Sequence, residues 1–302
     1  MEPSAAFESP QTLADALGGT SYLADEGLAT VTWLAQRLER PLLLEGEPGT
    51  GKTALAESLA QLLEVPLIRL QCYEGIEASQ ALYDWNFPRQ ILHLRAVETA
   101  AVANPDAQDV GTSHDLEAEL FDERFLQSRP ILKALQEAPC VLLVDEVDRA
   151  DDEFEAFLLE VLSTWSVTIP ELGTVRAQTP PLVVLTSNRT RELHDALKRR
   201  CLYHWIEHPG LDRELAIVRA RLPEVEETLA REVVELVQHL RAQDDMVKPP
   251  GVAETLDWAK ALTALGQSRL DPEVAAATMG AAVKYREDAE RVRVALDRML
   301  TR

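Results

Sequence analysis

The stretch GEPGTGKT occupies residues 46–53 of this chain. It matches the pattern G-x-x-x-x-G-K-[ST] and follows a short apolar run at residues 41–44. A strand, a glycine-rich loop and a helix in this order form a phosphate-binding loop, in which backbone N–H groups and the positive end of the helix surround an anion. The stretch therefore predicts a nucleotide site at the end of a buried strand.

Individual residues of this loop have separate tasks in holding a triphosphate. Glycines let the backbone turn inward around a phosphate. Lys52 is expected to reach the β- and γ-phosphates, and the hydroxyl of Thr53 to ligate Mg²⁺. Together with one residue of the next motif, the predicted ATP-binding residues are Gly46, Glu47, Pro48, Gly49, Thr50, Gly51, Lys52, Thr53 and Asp145.

A hydrophobic strand that ends in two acids, CVLLVDEVD at residues 140–148, forms the second half of the predicted site. Asp145 is expected to hold Mg²⁺ through water, and Glu146 to orient and activate an attacking water, as phosphoryl transfer to solvent requires. A third apolar run, LVVLTSN, ends in Asn188, whose amide would hydrogen-bond the γ-phosphate or that water. These residues predict Mg²⁺-dependent ATP hydrolysis.

A cationic cluster, Lys198, Arg199 and Arg200, follows in an otherwise acidic chain. One interpretation is an arginine finger at Arg199 or Arg200 that stabilises transition-state charge in a neighbouring subunit. The alternative is that the cluster caps the C-terminus of its helix, where cations favour the helix dipole. The sequence leaves both roles open.

Short apolar runs separated by helical stretches indicate the architecture. The runs at residues 42–44, 67–70, 141–144 and 182–186 are typical of a parallel sheet buried on both faces. Beyond residue 208 the pattern predicts only helices, at residues 212–221, 225–241, 252–265, 272–284 and 287–299. We therefore expect an α/β fold with a flexible lead-in at residues 1–20, a P-loop core with its sheet sandwiched by helices at 21–207, and a smaller all-helical lid domain at 208–302.

Charge and composition narrow the functional classes. The 302 residues include 51 Asp and Glu against 30 Lys and Arg, a formal charge of −21, so we expect no nucleic-acid partner. The N-terminal sequence lacks the features of a secretory signal, and no run of 18 apolar residues occurs, so we expect a cytoplasmic protein with no membrane span. Three well-separated cysteines indicate neither a disulfide framework nor a cysteine zinc site.

With these motifs in order, the chain resembles an AAA+ ATPase of the MoxR branch over about residues 20–302. The matching pieces are Walker A at residues 46–53, Walker B at 141–146, sensor 1 at Asn188 and the arginine-finger place at 199–200. The stretch DEVDRADDEFEAFLLEVLSTWSVTIPELGTV is also similar to that branch. Within it the chain looks most like the CoxD type, ATPases associated with maturing carbon monoxide dehydrogenase and related molybdenum hydroxylases. That narrower likeness is carried by QCYEGIEASQALYDWNF, VTIPELGTV, TSNRTRELHDALKRRCLYHW and PPGVAETLDWAKAL.

The resemblance implies a homo-hexameric ring with ATP between subunits, acting as a chaperone that remodels a client protein. It further implies a von Willebrand factor A domain protein as a partner and a metalloenzyme of the molybdenum hydroxylase type as the client. One departure is the absence of a sensor 2 arginine from residues 251–255. Either Lys248 or Lys260 substitutes, the sensor lies elsewhere, or the lid is coupled to ATP in another way.

Alternating aromatic residues, Tyr83, Trp85 and Phe87, predict a strand with three rings on one face. These rings would either line a pore and hold a client polypeptide or pack onto the body of the domain. Residues 167–176 predict a hairpin before Asn188.

Other classes of protein share the phosphate loop. A small-molecule phosphotransferase is one, although the Asp145–Glu146 pair suits water activation better. A GTPase would need an Asn-Lys-x-Asp run, which the sequence lacks. A non-hydrolysing scaffold, or a similar ring that serves another client, would have the same fold and a different function.

Overall fold

The computed structural model describes residues 7–103, 119–243 and 246–300. Its strands are β1 (Leu42–Gly46), β2 (Leu67–Gln71), β3 (Tyr83–Trp85), β4 (Leu126–Ser128), β5 (Val141–Asp145), β6 (Ser166–Ile169), β7 (Gly173–Arg176), β8 (Leu182–Ser187) and β9 (Leu202–Ile206). Five of them form a parallel sheet in the order β2-β5-β8-β1-β9. Because all five strands run the same way, the ends of β1, β5 and β8 meet at one edge of the sheet.

Apolar side chains cover both faces of this sheet. Every residue of β1 and of β5 is buried. One face packs against a cluster that includes Leu28 and Leu55, and the other packs against a cluster that includes Leu132 and Phe154. The structure thus confirms the predicted α/β fold with a parallel sheet between helices.

Two of the helices that accompany the sheet are capped by an aspartate that precedes their first residue. Asp25 accepts the N–H of Leu28 at 2.7 Å, and Asp151 accepts the N–H of Phe154 at 2.9 Å, which satisfies a free donor at each helix start. These helices span Pro10–Gly19, Glu26–Arg37, Lys52–Leu63, Ala78–Leu82, Phe87–Ala103, Pro130–Gln136, Asp152–Thr164 and Asp195–Arg200.

The expectation of a flexible lead-in at residues 1–20 is wrong for residues 10–19, which form a helix. Ser9 caps its first turn. Leu13 and Leu17 lie four residues apart, so they share one helix face, and both are fully buried against the sheet cluster. Burial of these two leucines orders a segment whose small and polar composition suggested a loop.

Beyond the sheet the described chain is helical, with helices at Leu211–Arg221, Glu227–Arg241, Val252–Ala264, Pro272–Thr278 and Arg286–Leu300. They surround a hydrophobic cluster of their own, centred on residues such as Val233, Trp258 and Leu262. The fourth of these helices is shorter than predicted, because it ends at Thr278 and continues as the 3₁₀ turn Met279–Ala281.

A buried carboxylate, that of Glu214, joins the first three of these helices. It accepts hydrogen bonds from both terminal nitrogens of Arg241 at 2.5 and 2.7 Å, from Gln238 at 2.6 Å and from the hydroxyl of Thr255 at 2.6 Å. Arg241 also donates to the carbonyl oxygen of Pro250 at 2.5 Å. Because Arg241 binds both the Glu214 carboxylate and the Pro250 carbonyl oxygen, this network fixes the loop that precedes residue 251.

The predicted aromatic strand is shorter than expected and its rings differ in environment. Tyr83 and Trp85 lie in β3, are partly buried and contact each other edge to face at 6.1 Å. Phe87 begins the next helix and is 60% exposed. The three rings therefore do not share one strand face. The predicted hairpin at residues 167–176 is present as the antiparallel pair of β6 and β7.

Candidate functional site

The phosphate-binding loop leaves β1 at Gly46 and leads directly into the helix Lys52–Leu63. Gly51 occupies the N-cap position and has no side chain to cap the first N–H groups of that helix. Those donors are therefore available to an anion, which the helix dipole also favours. Sequence analysis predicted this arrangement, and the structure has it.

Lys52 is buried inside the loop. Its ammonium donates hydrogen bonds to the carbonyl oxygens of Gly46 at 2.7 Å and Glu47 at 2.8 Å. Burial lowers the pKa of Lys52 from its ordinary 10.5 to about 8, and the nearby carboxylates, chiefly Asp148, partly oppose that shift. The lysine is thus held where a phosphate would meet it.

Asp145 ends β5 with a buried carboxylate that contacts the predicted magnesium ligand Thr53. Its Oδ1 accepts the hydroxyls of Thr53 at 3.1 Å and Thr186 at 2.6 Å, while its Oδ2 accepts a guanidinium N–H of Arg69 at 2.5 Å. A carboxylate and a hydroxyl side by side are the oxygen donors that Mg²⁺ takes from a protein when phosphates and water complete its shell. The residues present therefore fit this ion. No group of three or more His, Cys, Asp or Glu ligands occurs among the described residues.

Glu146 and Asn188 lie close together at the same edge of the sheet. The amide Nδ2 of Asn188 lies 3.4 Å from Glu146 Oε1. The other carboxylate oxygen, Oε2, contacts Nε2 of Gln71 at 3.2 Å and Nε of Arg149 at 2.8 Å. The structure thus brings the predicted general base next to the predicted sensor amide.

Two side chains that contact Asp145 and Glu146 were not among the residues predicted from the sequence. Arg69 and Gln71 both belong to the edge strand β2, where alternate residues are exposed. Gln71 pairs with Asp145 in the β2–β5 register, and this register places one β2 side chain on each of the two acids. Only the strand order reveals this arrangement, because β2 lies about 75 residues before β5 in sequence.

The cationic cluster does not join the site of its own chain. Lys198 pairs with Glu192 at 2.6 Å. Arg200 donates to the carbonyl oxygens of Leu162 at 3.3 Å and Ser163 at 3.1 Å, in the last turn of the preceding helix. The side chain of Arg199 is exposed and makes no hydrogen bond or ion pair with the residues that the structure describes. Neither arginine contacts the residues of the phosphate loop or the acids Asp145 and Glu146 through a hydrogen bond or ion pair that involves described residues.

A cavity of about 820 Å³ extends from the phosphate loop between the sheet and the C-terminal helices. Its phosphate end is lined by residues 48–53 with Asp145, Glu146 and Asn188. Its far end contains apolar side chains that the sequence did not identify, because they come from four separate segments. They are Tyr22, Leu23, Ile206, Ile217 and Leu256.

The stretch at residues 251–255 lies against the phosphate loop, where the resemblance expected sensor 2. The N–H of Ala253 donates to the carbonyl oxygen of Gly49 at 3.2 Å. Gly251 packs so closely that a Cβ there would lie 2.8 Å from the carbonyl oxygen of Pro48. The contact is between backbones and brings no arginine.

The cations that line the cavity, among the described residues, are Lys52, Arg69, Arg213 and Arg221. Lys248 and Lys260, the suggested substitutes for sensor 2, are not among its lining residues. Arg213 is paired with Asp25 at 3.2 Å.

Within the same three described ranges, every helix is too short or too polar to cross a bilayer.

Comparison with known proteins agrees with this geometry. A family model described as AAA domain (dynein-related subfamily) matches residues 41–201, more than half of the chain. The chain is 22% identical over 232 residues to an uncharacterized protein of Staphylococcus epidermidis, a match that covers 75% of this chain and 76% of the relative. It is also 42% identical over 48 residues to midasin of Giardia intestinalis, which covers 16% of this chain and 1% of midasin.

Among solved structures, the chain is similar to the RuvB Holliday junction branch migration motor of Thermotoga maritima. The TM-score is 0.45 at 16% identity, and the match covers 91% of this chain and 72% of RuvB. The family model includes the phosphate loop, Asp145, Glu146 and Asn188, the residues that meet at the cavity. The chain therefore belongs to the AAA domain family, in its dynein-related subfamily, and its activity is ATP hydrolysis.

Proposed function

We propose that this chain is a Mg²⁺-dependent ATP hydrolase that assembles into a homo-hexameric ring and remodels a partner protein. The observation that carries the proposal is the meeting of Thr53, Asp145, Glu146 and Asn188 at one end of the cavity. Phosphate-loop donors alone would bind a nucleotide. A general base beside a sensor amide adds what hydrolysis by water needs.

Within the site, each side chain has a definite task. Thr53 and Asp145 would hold the magnesium ion, which neutralises phosphate charge when bound. Lys52 turns from the loop carbonyls to the phosphates. Glu146 accepts a proton from the attacking water, and Asn188 orients that water or the γ-phosphate.

The ring proposal is supported by the different surroundings of the two arginines. Arg200 is engaged with the carbonyl oxygens of Leu162 and Ser163, as a helix cap would be. Arg199 is exposed, lies outside its own nucleotide cavity and is paired with no acid of the described part of the chain. We therefore propose Arg199 as the finger that acts on the ATP of a neighbouring subunit, with Arg200 holding the helix that presents it.

Mixed rings test this assignment. Arg199→Ala and Glu146→Gln subunits should each be inactive alone, and equal mixing should restore turnover. With random assembly, about one quarter of the sites combine an intact Glu146 with a neighbour's intact Arg199, so about one quarter of wild-type turnover is expected. Lys198→Ala, which breaks only the pair with Glu192, is the matched control and should stay active.

Two outcomes of the mixing experiment count against the assignment. Recovery in mixtures that contain Arg200→Ala, with none for Arg199→Ala, would transfer the finger role to Arg200. Loss of recovery in both mixtures would contradict a finger supplied by a neighbouring subunit.

We also propose that the chain is of the MoxR branch and the CoxD type. The support is the likeness of four stretches, among them residues 71–87 and 186–205. The proposed partner is a von Willebrand factor A domain protein, and the proposed client is a metalloenzyme of the molybdenum hydroxylase type. Glu146→Gln rings loaded with ATP should retain both proteins, whereas Lys52→Ala rings should not. Retention of an unrelated client would support a ring that serves another partner.

The division into a core at residues 21–207 and a helical lid domain at 208–302 is likewise a proposal. It is supported by separate hydrophobic clusters on the sheet and among the C-terminal helices. The helix Pro10–Gly19 belongs with the core in this proposal, because Leu13 and Leu17 pack into its cluster.

A further inference from the structure

A single carboxylate, that of Asp148, holds both sides of the turn that follows β8. Its Oδ2 accepts the N–H of Asn188 at 3.2 Å, the N–H of Thr190 at 2.8 Å and the hydroxyl of Thr190 at 2.7 Å. Arg189, between them, has a φ of 54°, in the left-handed region that residues other than glycine rarely adopt. The carboxylate therefore stabilises a turn that the backbone alone disfavours.

This turn determines where the side chain of Asn188 lies. With its N–H tied to Asp148, Asn188 places its amide Nδ2 3.4 Å from Glu146 Oε1. Glu146 itself has a φ of 54° and immediately precedes the 3₁₀ turn Val147–Arg149, which carries Asp148. One short segment thus supplies both the general base and the carboxylate that holds the sensor amide against it.

The carboxylate of Asp148 is almost fully buried. The residue is only 2% exposed, and its Oδ1 is buried without a hydrogen-bond partner among the described residues.

We infer that Asp148 is a positioning residue that acts through Asn188: it fixes the sensor turn so that the amide meets Glu146 and the attacking water. The inference rests on the proposed roles of Asn188 and Glu146 in hydrolysis. Asp148 itself touches neither the phosphates nor the water. Loss of the Asp148 carboxylate should therefore lower kcat, and only in a protein that retains the amide of Asn188.

A double-mutant cycle on the full-length protein tests this directly. The turnover number and the KM for ATP are measured for the wild type, Asp148→Ala, Asn188→Ala and the double variant. Asp148→Ala should lower kcat by at least about tenfold and change KM by less than about threefold. In the Asn188→Ala background the same substitution should cost less than about twofold, because its target is already gone.

Matched variants separate this role from general damage. Asp148→Asn keeps an oxygen acceptor for the turn and should lose less turnover than Asp148→Ala. Asp152→Ala removes an exposed acid four residues away that pairs with Arg191, and should leave kcat unchanged. Should Asp148→Ala fail to fold, Thr190→Val takes its place in the cycle, since it removes one of the three bonds to Asp148.

The outcomes distinguish this inference from the proposed function. An unchanged kcat in Asn188→Ala would refute the proposed role of Asn188 in hydrolysis, whatever the kcat of the Asp148 variants. If Asn188→Ala is impaired and Asp148→Ala lowers kcat equally in both backgrounds, the positioning role is wrong. A loss confined to KM would also overturn it.

Discussion

Proton uptake on ATP binding follows from the environment of Lys52. In the structure its ammonium is buried against two carbonyl oxygens, and burial lowers its pKa to about 8. A triphosphate beside it favours the charged form and raises that pKa again. ATP binding should therefore take up about 0.1 proton at pH 7, about 0.5 at pH 8 and about 0.9 at pH 9, the deprotonated fractions of a group with a pKa of about 8.

Isothermal titration calorimetry measures this uptake. At each pH, ATP is titrated in buffers of different ionisation enthalpy, and the slope of the observed heat against that enthalpy is the number of protons taken up. The affinity for ATP should also fall above pH 8 and approach tenfold per pH unit, because only the charged lysine binds the phosphates well.

Neighbouring titratable groups should not obscure the signal. Burial raises the pKa of Cys72 to about 12, of Cys140 to about 11 and of Cys201 to about 12, so these thiols stay protonated at pH 9. Burial lowers the pKa of His204 and His208, which line the cavity, and so favours their neutral forms.

The control is Lys52→Arg, whose guanidinium stays charged over this range and should bind ATP without proton uptake. Equal heats in all buffers at pH 9 for the wild type would show that Lys52 takes up no proton when ATP binds. An ATP affinity that stays constant between pH 7 and pH 9 would show the same.

Two further predictions concern the helices beside the site. Gly251→Ala places a Cβ 2.8 Å from the Pro48 carbonyl oxygen and 2.9 Å from Gly49 Cα, and should destabilise the protein by about 1–3 kcal/mol and weaken ATP binding, as seen in thermal melts and ATP titrations. Gly280→Ala, with no atom within 4 Å of the new Cβ, is the control, and equal effects of the two would contradict the contact. Arg241→Met leaves the buried Glu214 carboxylate without its partner and should cost about 3–5 kcal/mol in urea unfolding. Arg219→Met, which breaks an exposed pair with Glu227, should cost at most about 1 kcal/mol, and a similar loss in both variants would argue against the network.

Sequence analysis predicted those parts of the fold whose residues are contiguous in the chain. A phosphate loop needs its glycines, lysine and threonine next to one another, and each buried parallel strand needs an unbroken apolar run. The runs ending at Gly46, Asp145 and Asn188 therefore indicated where the site residues meet. β9 was not predicted, because LYHWI interrupts its apolar residues with His204 and carries an exposed Tyr203.

The rest depends on contacts between distant segments. The contacts of Arg69 and Gln71 with the two acids follow from the neighbouring positions of β2 and β5. The helix at residues 10–19 is ordered by burial of two leucines against the sheet. The contacts of Arg200 with two carbonyl oxygens depend on where the helix Asp152–Thr164 ends. Local pattern carries none of this information.

The role of Glu146 is tested by comparing ATP binding with ATP turnover in purified Glu146→Gln protein. Binding should stay within about threefold of the wild type, whereas phosphate release should fall by at least about 100-fold, the usual contribution of a general base. Lys52→Ala should lose both. Phosphate release at the wild-type rate by Glu146→Gln would contradict the assignment of this glutamate and the account of hydrolysis built on it.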